Sequence, residues 1–437
     1  MDRPGVLILA VKKVARMRVL WFTGVQLPAL TGQSLTRAGW QEGLRNALEQ
    51  YRPDVELGIV SFGPESRQPV VQGNATYFVI PRTIRRGKIR RIWKAWQHSS
   101  YTSDELDRCF EAVQSFKPDL VHFHGSENFY GLVNDRLSVP SVLSIQAVIN
   151  GLQPFMLTDL GWKGILSNIA TRNFLRGDGL IHRWITSEKF CGVERKILRS
   201  CRNYIGRTQW DRAMLEAFNP GANYYHCDEV LAGIFYSLEW KNQNAGKEVI
   251  YSTGSNAFFK GGLTLARAVA ILKQRGREDI KLHLAGIDTA SEFGHALTAL
   301  IAEQHLEKNI VLLGRILPQQ ITGEMLQASL FVLPSHMDNS PNSLCEAMLM
   351  GMPCIAAHVG GVPSLIRDGM DGLLYHDRDP FILAEKIVQL LDDRALAVRL
   401  GAQARRTASE RHDPEQIAER TVQIYQQVIS SHGDRLG

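Results

Sequence analysis

The sequence predicts an α/β protein built from two doubly wound, parallel-sheet domains that face each other. Short apolar runs rich in Val, Ile and Leu recur along the chain and are typical of strands buried on both faces. Segments with helical periodicity follow most of these runs, which favours parallel sheets with right-handed crossovers. The pattern restarts near Lys247, and 437 residues exceed the size of a single core.

Each half of the chain has its own series of strand-like runs. In the first half they are "RVLWFTG", "VELGIVSF", "DLVHFHG" and "PSVLSIQA", with the helix-like "TRAGWQEGLRNALEQY" after the first and a polar turn after the second. In the second half they are "EVIYSTG", "IKLHLAG", "NIVLLG", "LFVLPS", "PCIAA" and "GLLYH". The last helical pattern, "DPEQIAERTVQIYQQVIS", is expected to pack back on the first domain.

These patterns divide the chain into five parts. They are an N-terminal extension (1–16), a first Rossmann-like domain (17–236), a linker (237–247), a second Rossmann-like domain (248–410) and a C-terminal helix crossing back to the first domain (411–437). In the extension, Lys12 and Lys13 follow the apolar patch, whereas a signal peptide carries its charge before the patch. Since Met17 directly precedes a clean strand, we interpret residues 1–16 as contributing little to the fold.

Composition indicates an ordinary soluble protein. Apolar residues make up 44% and charged residues 22%, and the net charge of +6 is a mild excess that suits anionic ligands. The six cysteines show no metal-ligand or CxxC spacing, which favours a reducing cytoplasm. No apolar run approaches the ~20 residues that span a bilayer. We therefore expect a cytoplasmic protein, peripheral at the inner membrane.

The stretch "LPSHMDNSPNSLCEAMLMGMPCIAAHVGGVP", residues 333–363, follows a strand and opens a helix. Ser340 is a good N-cap and Pro341 suits the first helical position, while Gly351 and Pro353 end the helix. Two carboxylates, Asp338 and Glu346, lie on either side of this helix start.

That arrangement suits a nucleotide sugar. The free amides of Asn342 and Ser343, together with the helix dipole, form an anion site for a diphosphate. Glu346 lies one turn in, where it could accept from a sugar diol, and Asp338 reaches the other side of the same ligand. The alternative is a well-capped helix with two solvated acids.

The stretch "DNSPNSLCEAMLMGMPCIAAHVGGVPSLIRDGMDGLL" resembles the acid-x7-acid region of GT-B retaining glycosyltransferases of the large family 4 (group 1). By this resemblance, Glu346 holds the ribose diol of the donor and Asp338 contacts the hydroxyls of the transferred sugar. The family usually has Glu at both positions. Asp338 is one methylene shorter, so the donor contacts or the rate could differ from the family pattern.

The stretch "STGSNAFFKGGLTLARAVAIL" resembles the family's strand and loop "G-R-x…K-G". Gly254 matches the first glycine, and Lys260 matches the lysine that neutralises the donor diphosphate. Ser255 replaces the usual arginine, so one of the two cations is missing. Arg315, in "LLGRILP", is a candidate for the second charge. A lysine at a turn before a helix is otherwise a plain surface residue.

The first half resembles the family more loosely. The stretch "KPDLVHFHGSENFYGL" is similar to the strand end "P-D-V-V-H-x-H", which implies that His124 faces the cleft as a catalytic residue; the alternative is a histidine satisfied at the surface or in the core. Gly39 and Trp40 replace the paired glycines near the donor phosphates. Arg207, in "YIGRTQWDRAML", would face the acceptor or the phosphates. The resemblance runs from Met17 to the last helix.

The resemblance implies transfer with retention of anomeric configuration, by front-face displacement in which the leaving phosphate helps to deprotonate the acceptor. Lys260 and the helix amides would stabilise the departing diphosphate. The family pattern that the chain resembles is metal-independent, so the resemblance also implies a reaction without a metal ion. We expect no metal and no cofactor, the nucleotide sugar being a substrate.

The acceptor side has one distinctive segment. Residues 82–96, "RTIRRGKIRRIWKAW", combine seven cations with two tryptophans, a composition that suits a membrane surface or a lipid diphosphate. A solvated helix face or a mobile loop is the alternative. We expect a glycan or lipid-linked acceptor in cell-surface polysaccharide or glycolipid synthesis. Nucleic acid is not expected as a partner, because no binding motif accompanies the charge.

Two other function classes remain open. A nucleotide-sugar epimerase on the same fold should show extra carboxylates and histidines in the first domain, where this chain offers only His122, His124 and Glu127 in one cluster. A nucleotide-sugar-binding protein with weakened catalysis is the other, since Ser255 and Asp338 depart from the family pattern. A dinucleotide dehydrogenase is disfavoured, because no GxGxxG follows the first strand.

Overall fold

The structure, a computed structural model, describes residues 16–24, 39–65, 67–82, 101–161, 165, 179–241 and 248–433. Its strands form two separate sheets. The first sheet contains Met17–Phe22 (β1), Val55–Gly63 (β2), Arg67–Gln72 (β3), Ala75–Pro81 (β4), Leu120–His124 (β5), Ser141–Ser144 (β6), Asn203–Gly206 (β7) and Asn223–His226 (β8). The second contains Val249–Thr253 (β9), Lys281–Ala285 (β10), Ile310–Gly314 (β11), Leu330–Leu333 (β12), Cys354–Ala357 (β13) and Leu373–Tyr375 (β14).

Helices alternate with these strands in both halves. Those of the first half are Gly39–Tyr51 (α1), Ser103–Phe116 (α2), Ile149–Leu152 (α3), Leu180–Ser200 (α4) and Gln209–Phe218 (α5). Those that follow are Gly262–Gln274 (α6), Glu292–Glu303 (α7), Pro318–Gln327 (α8), Asn342–Leu349 (α9), Pro380–Asp392 (α10), Arg394–Arg411 (α11) and Pro414–Gly433 (α12).

The strand order shows where the topological switch point of each sheet lies. The first sheet runs β3-β4-β2-β1-β5-β6-β7-β8, and the second runs β11-β10-β9-β12-β13-β14. The order therefore switches between β1 and β5 in the first sheet and between β9 and β12 in the second. In open α/β sheets, ligands bind at the carboxyl ends of the strands beside such a switch point.

The strand interiors are apolar because helices cover both sheet faces. The last four residues of β1 and all five of β5 are buried, as are all four of β12 and of β13. All neighbouring strands pair in parallel except β3, which pairs antiparallel with β4. The sequence analysis expected only a turn after β2. It missed this edge hairpin because the adjacent Val70 and Val71 are both exposed and give no alternating pattern.

The C-terminal helix α12 covers the first sheet together with α1. Its buried apolar residues join a core with β1, β2 and α1. The hydroxyl of Tyr425 lies 2.7 Å from Nδ1 of His122 and accepts from the indole of Trp21 at 3.2 Å. The helix that follows the second domain in sequence thus completes the core of the first.

The predicted fold class, two facing Rossmann-like parallel-sheet domains, is confirmed. The domain bounds at 16, 236, 247 and 410 stay a prediction. The first 15 residues of the extension and residues 242–247 of the linker lie outside the described part of the chain. So do residues 83–96 of the basic segment. In the described part, no helix is long and apolar enough to cross a membrane.

Candidate functional site

The loops after β9 and β12 meet at the switch point of the second sheet. Gly261, with φ +71°, follows the loop after β9, and a Cβ on it would lie 1.8 Å from the carbonyl oxygen of Pro334. Only glycine allows this approach of two backbones. The amide of His336 also donates to the carbonyl of Phe259 at 2.7 Å. The loop that carries Lys260 is therefore held directly against the loop that carries Asp338.

The contact between the two loops brings Lys260 and Asp338 together. The sequence analysis assigned Lys260 to the diphosphate of a donor and Asp338 to the transferred sugar. Lys260 Nζ lies 2.7 Å from Asp338 Oδ2, which also accepts from the hydroxyl of Ser335 at 3.0 Å. Lys260 is more exposed than Asp338, at 29% against 13% of the side chain. A part-exposed cation with a fixed carboxylate partner can turn toward an arriving anion, while Asp338 stays in place through Ser335.

The helix start differs by one residue from the expectation. Pro341, not Ser340, is the N-cap, with extended backbone angles, and α9 begins at Asn342. The expectation was wrong because it placed proline at its most favoured position, the first helical one, rather than before it. Leu344 donates the first helical hydrogen bond, to Pro341 at 3.0 Å. The amides of Asn342 and Ser343 precede that bond, as an anion site at a helix start requires.

Glu346 lies one turn into α9 and is partly buried. Loss of hydration raises its pKa to about 8, so the carboxyl is largely protonated at neutral pH in the free protein. A protonated carboxyl can donate to a diol oxygen as well as accept from a hydroxyl. The geometry agrees with a sugar-binding role, which stays a prediction.

The remaining predicted donor residues lie at strand ends of the same sheet. Gly254 directly follows β9, and its amide donates to the carbonyl of Ala285 at 2.8 Å. Ser255, which stands where the family has arginine, accepts from the amide of Ala257 at 3.3 Å. Arg315 is exposed after β11, two strands away from β9. Adjacent strands are ~4.8 Å apart, so Arg315 starts roughly 10 Å from the β9 loop.

On the first domain, His124 ends β5 at the switch point and is 1% exposed. Its ring lies 4.6 Å from that of Trp21 and 5.3 Å from that of Trp40, centroid to centroid. Neither ring nitrogen has a hydrogen-bond partner among the described residues. Burial, with the nearby His122 and Arg207, lowers the pKa of His124, so the imidazole is neutral. An unpaired neutral imidazole can donate one hydrogen bond and accept another.

Gly39 and Trp40 form the first turn of α1, which places Trp40 over His124. The residues before them, 25–38, lie outside the described part of the chain. Arg207 is 5% exposed and already engaged, since it donates to Ile145 O at 2.6 Å and pairs with Glu229. Arg207 can meet an acceptor or phosphate only by exchanging an internal partner, and its predicted role stays a prediction.

Three residues at the boundary between the domains were missed by the sequence analysis. His336 and Asn339, both buried, flank Asp338 and contact the first domain. Asp159, the partner of His336 from the first domain, has φ +68°, a left-handed conformation that aspartate tolerates better than most residues. No sequence signal reports such contacts, because 177 residues separate Asp159 from His336.

His336 is charged in this arrangement. Nδ1 lies 2.5 Å from Asp377 and Nε2 lies 2.9 Å from Asp159, whose other neighbour is Arg267; Arg378 pairs with Asp377. Burial alone would lower the pKa of His336, but the two carboxylates raise it to about 9.

We expect the imidazole of His336 to remain protonated at pH 8 in nitrogen-15 NMR spectra of the folded protein. Because its pKa is raised above the ordinary value of ~6.5, it stabilises the fold fully below about pH 6.5, and this stabilisation is lost as pH rises through about 9. His122, whose pKa burial lowers to about 3, is the internal control and should be neutral throughout. A neutral His336 at pH 8 would contradict the expectation.

Within the described part of the chain, no group of three or more His, Cys, Asp or Glu side chains could hold a metal ion. Of residues 82–96, the structure describes only Arg82, whose guanidinium lies over the rings of Phe62 and Phe129 at 5.1 and 5.2 Å. The membrane prediction for this segment is therefore untested.

In the comparisons with known proteins, the family match lies in the second half of the chain. Residues 247–393 match the family model described as glycosyl transferases group 1. N-acetyl-alpha-D-glucosaminyl L-malate synthase of Bacillus anthracis is 34% identical over 152 residues, 35% of this chain and 38% of that protein. D-inositol 3-phosphate glycosyltransferase of Corynebacterium efficiens is 29% identical over 159 residues, 36% of this chain and 38% of that protein. These alignments thus span well under half of either relative.

Longer matches cover both halves at lower identity. D-inositol 3-phosphate glycosyltransferase of Nocardia farcinica is 27% identical over 379 residues, 83% of this chain and 78% of that protein. Sucrose-phosphate synthase from Thermosynechococcus elongatus superposes with a TM-score of 0.71 at 17% identity, covering 95% of this chain and 100% of that one. Anabaena HepE in complex with UDP and glucose gives 0.65 at 15% identity, covering 94% and 100%. These structures show the fold alone.

Proposed function

Since residues 247–393 match the group 1 glycosyl transferases and the chain has the GT-B fold, we propose that the protein is a retaining glycosyltransferase that moves a sugar from a nucleotide-sugar donor to an acceptor. The observation that carries the proposal is the Lys260–Asp338 contact of 2.7 Å at the β9/β12 switch point, beside the amides that open α9. A cation, an acid and a helix N-terminus meet where a parallel sheet binds ligands.

In this proposal, each of these groups contacts one part of the nucleotide-sugar donor. Lys260 and the amides of Asn342 and Ser343 neutralise the diphosphate as it departs, which requires no metal. Glu346 binds the ribose diol, and Asp338 faces the transferred sugar, where positive character develops at the anomeric carbon. Anabaena HepE, which shares the fold, was crystallised in complex with UDP and glucose, and this makes a UDP-sugar the first donor to test.

The acceptor side is proposed on less evidence. His124, with both ring nitrogens unpaired among the described residues, faces the acceptor hydroxyl in this proposal. A glycan or lipid-linked acceptor in polysaccharide or glycolipid synthesis is supported by the sequence of residues 82–96 alone. The relatives are named for malate and inositol 3-phosphate, so small anionic acceptors belong in the same screen.

We expect one class of nucleotide sugar to raise the melting temperature of the full chain, and Glu346→Ala to abolish the shift. A ligand at 100 times its Kd stabilises the folded state by about 2.7 kcal/mol. Glu303→Ala is the matched control, because Glu303 is an exposed acid on α7 of the same domain. A panel of UDP-, GDP- and dTDP-sugars measured by thermal shift tests the expectation.

Product analysis then separates the function classes. A glycosyltransferase consumes the donor in proportion to acceptor and, if retaining, gives a product whose anomeric proton matches the donor's in NMR spectra. It should also work in the presence of a chelator. An epimerase would change the donor without any acceptor, and a binding protein would shift in melting temperature without consuming it. Absence of a shift with every nucleotide sugar would remove the proposal.

A further inference from the structure

The loop from Ser335 to Ser340 carries Asp338 between β12 and α9, and it is held from both domains. Ser335, His336 and Asn339 are 1%, 0% and 4% exposed, so half of the loop's residues are buried although it connects a strand to a helix at the cleft. Among the described residues, the hydrogen-bond partners of Asp338 belong to its own domain: Lys260, Ser335 and the amide of Gly361, which donates to its carbonyl at 3.0 Å. Its neighbours in sequence cross to the other domain.

The first crossing lies two residues before Asp338. His336 binds Asp377 of its own domain through Nδ1 at 2.5 Å and Asp159 of the first domain through Nε2 at 2.9 Å. Its side chain is completely buried. Asp159 holds a second group of the nucleotide-sugar side, since Arg267 on α6 lies 3.5 Å from its other oxygen. A buried imidazolium with one carboxylate from each domain has its lowest energy only when both domains are in contact.

The second crossing lies one residue after Asp338. The side-chain amide of Asn339 donates to Gln146 O at 3.0 Å and to Asp211 Oδ2 at 3.2 Å, and its oxygen accepts from the hydroxyl of Thr208 at 2.5 Å. Both N–H donors and the oxygen of the Asn339 side-chain amide thus have hydrogen-bond partners in the first domain. Thr208 and Asp211 are themselves fixed, because they form the capping box of α5.

We propose that Asp159 is a positioning residue that, through His336, sets the loop carrying Asp338 in its working position when the two domains are in contact. The proposal rests on the proposed function and deepens it. Asn339 and its partners hold the loop after Asp338, and Asp159, through His336, holds the loop before it. Separation of the domains releases both sides together, so Asp338 is correctly placed only in the closed cleft. Sugar transfer is thereby confined to a cleft from which water is excluded.

The competing explanation is that Asp159 merely holds the domains together. The chain offers a matched control, since Glu292 on α7 also crosses the boundary. Its carboxylate accepts from the amide of Leu180 at 3.1 Å and pairs with Arg183, and it has no contact with the Asp338 loop among those described. Removing Asp159 takes away its interdomain ion pairs with His336 and Arg267, and removing Glu292 takes away its pair with Arg183, but only Asp159 is attached to the loop.

The variants can be chosen so that the backbone is not strained. Asp159 has φ +68°, which glycine adopts freely, so Asp159→Gly removes the carboxylate without adding strain. Asp159→Asn keeps an oxygen that accepts from His336 Nε2 and also tolerates a positive φ. Glu292→Ala, in the first turn of a helix, removes the control carboxylate.

Two measurements decide the proposal. In steady-state kinetics, Asp159→Gly should lower kcat by about 100-fold, the effect of a misplacement near 1 Å, with donor Kd changed less than about twofold. Asp159→Asn should recover most of the loss, and Glu292→Ala should stay within about twofold of wild type. In hydrogen exchange, the amides of residues 335–340 should exchange faster in Asp159→Gly than in Glu292→Ala.

Equal losses of kcat in Asp159→Gly and Glu292→Ala would overturn the proposal, as would unchanged exchange of the 335–340 amides in Asp159→Gly. The exchange measurement needs no donor. A wild-type protein that turns over no nucleotide sugar would refute the proposed function, and the exchange comparison would still decide whether Asp159 holds the loop.

Discussion

Lys260→Ala is expected to lower kcat/KM for the nucleotide-sugar donor by about 100-fold. A lost charge-assisted hydrogen bond to a diphosphate costs about 1.5–3 kcal/mol, which alone is more than tenfold. The structure adds a second loss, because Lys260 also neutralises Asp338 at 2.7 Å. Without the lysine, the Asp338 carboxylate would keep Ser335 but lose its cationic partner. Steady-state kinetics with a donor identified by thermal shift, together with its Kd by titration calorimetry, measure the effect.

Lys273→Ala is the matched control for this variant. Lys273 lies on α6 of the same domain, is partly exposed, and donates to the carbonyl of His305 at 2.6 Å. Its removal should leave kcat/KM within about twofold, as surface substitutions usually do. Arg315→Ala asks whether the exposed arginine after β11 supplies the second cation that Ser255 does not. If donor affinity and turnover are unchanged in Lys260→Ala, the assignment of Lys260 to the donor diphosphate is wrong.

Much of the fold could be predicted because strands and helices leave local signals. The apolar runs at β1, β5, β9 and β12 are continuous since helices cover both faces, and each ends at a turn residue. The loops that follow β9 and β12 could be placed together because the carboxyl ends of parallel strands share one edge. The hairpin β3–β4 escaped prediction because the adjacent Val70 and Val71 of β3 are both exposed and give no alternating pattern.

What could not be predicted are contacts between residues remote in sequence. The pairing of Lys260 with Asp338 joins positions 78 apart, and both had been assigned by their contacts with a ligand rather than with each other. The motif around Arg207 suggested a cleft residue, but only the packing of β6 and β7 shows its guanidinium turned to Ile145 O. His336 and Asn339 looked like loop residues around an acid, and 177 and 193 residues separate them from Asp159 and Gln146.

Asp338→Asn is expected to lower kcat by about 100- to 1,000-fold while donor binding changes little. Asparagine keeps the size of the side chain and can still accept from Ser335. It lacks the charge that stabilises positive character at the anomeric carbon in the transition state. Donor affinity should even rise slightly, because Lys260 is released from its carboxylate partner and is free for the diphosphate. The comparison of kcat with donor Kd measures this split, and wild-type turnover would show that Asp338 is only part of the loop.

Asp338→Glu tests whether the shorter acid is an adaptation. The backbone at this position cannot retreat to make room for a longer side chain, since a Cβ at Gly360 would lie 2.1 Å from the carbonyl oxygen of Asp338 and the amide of Gly361 donates to that same oxygen. His336 and Asn339 fix the loop on either side. A glutamate carboxylate must therefore advance by about one methylene, or ~1.5 Å, into the space of the transferred sugar. We expect kcat/KM to fall by about tenfold with the native donor, because the advanced carboxylate loses Ser335 and displaces a hydroxyl contact. A rise in kcat/KM would have the opposite meaning: the site would be a weakened form of the family pattern that the longer acid repairs.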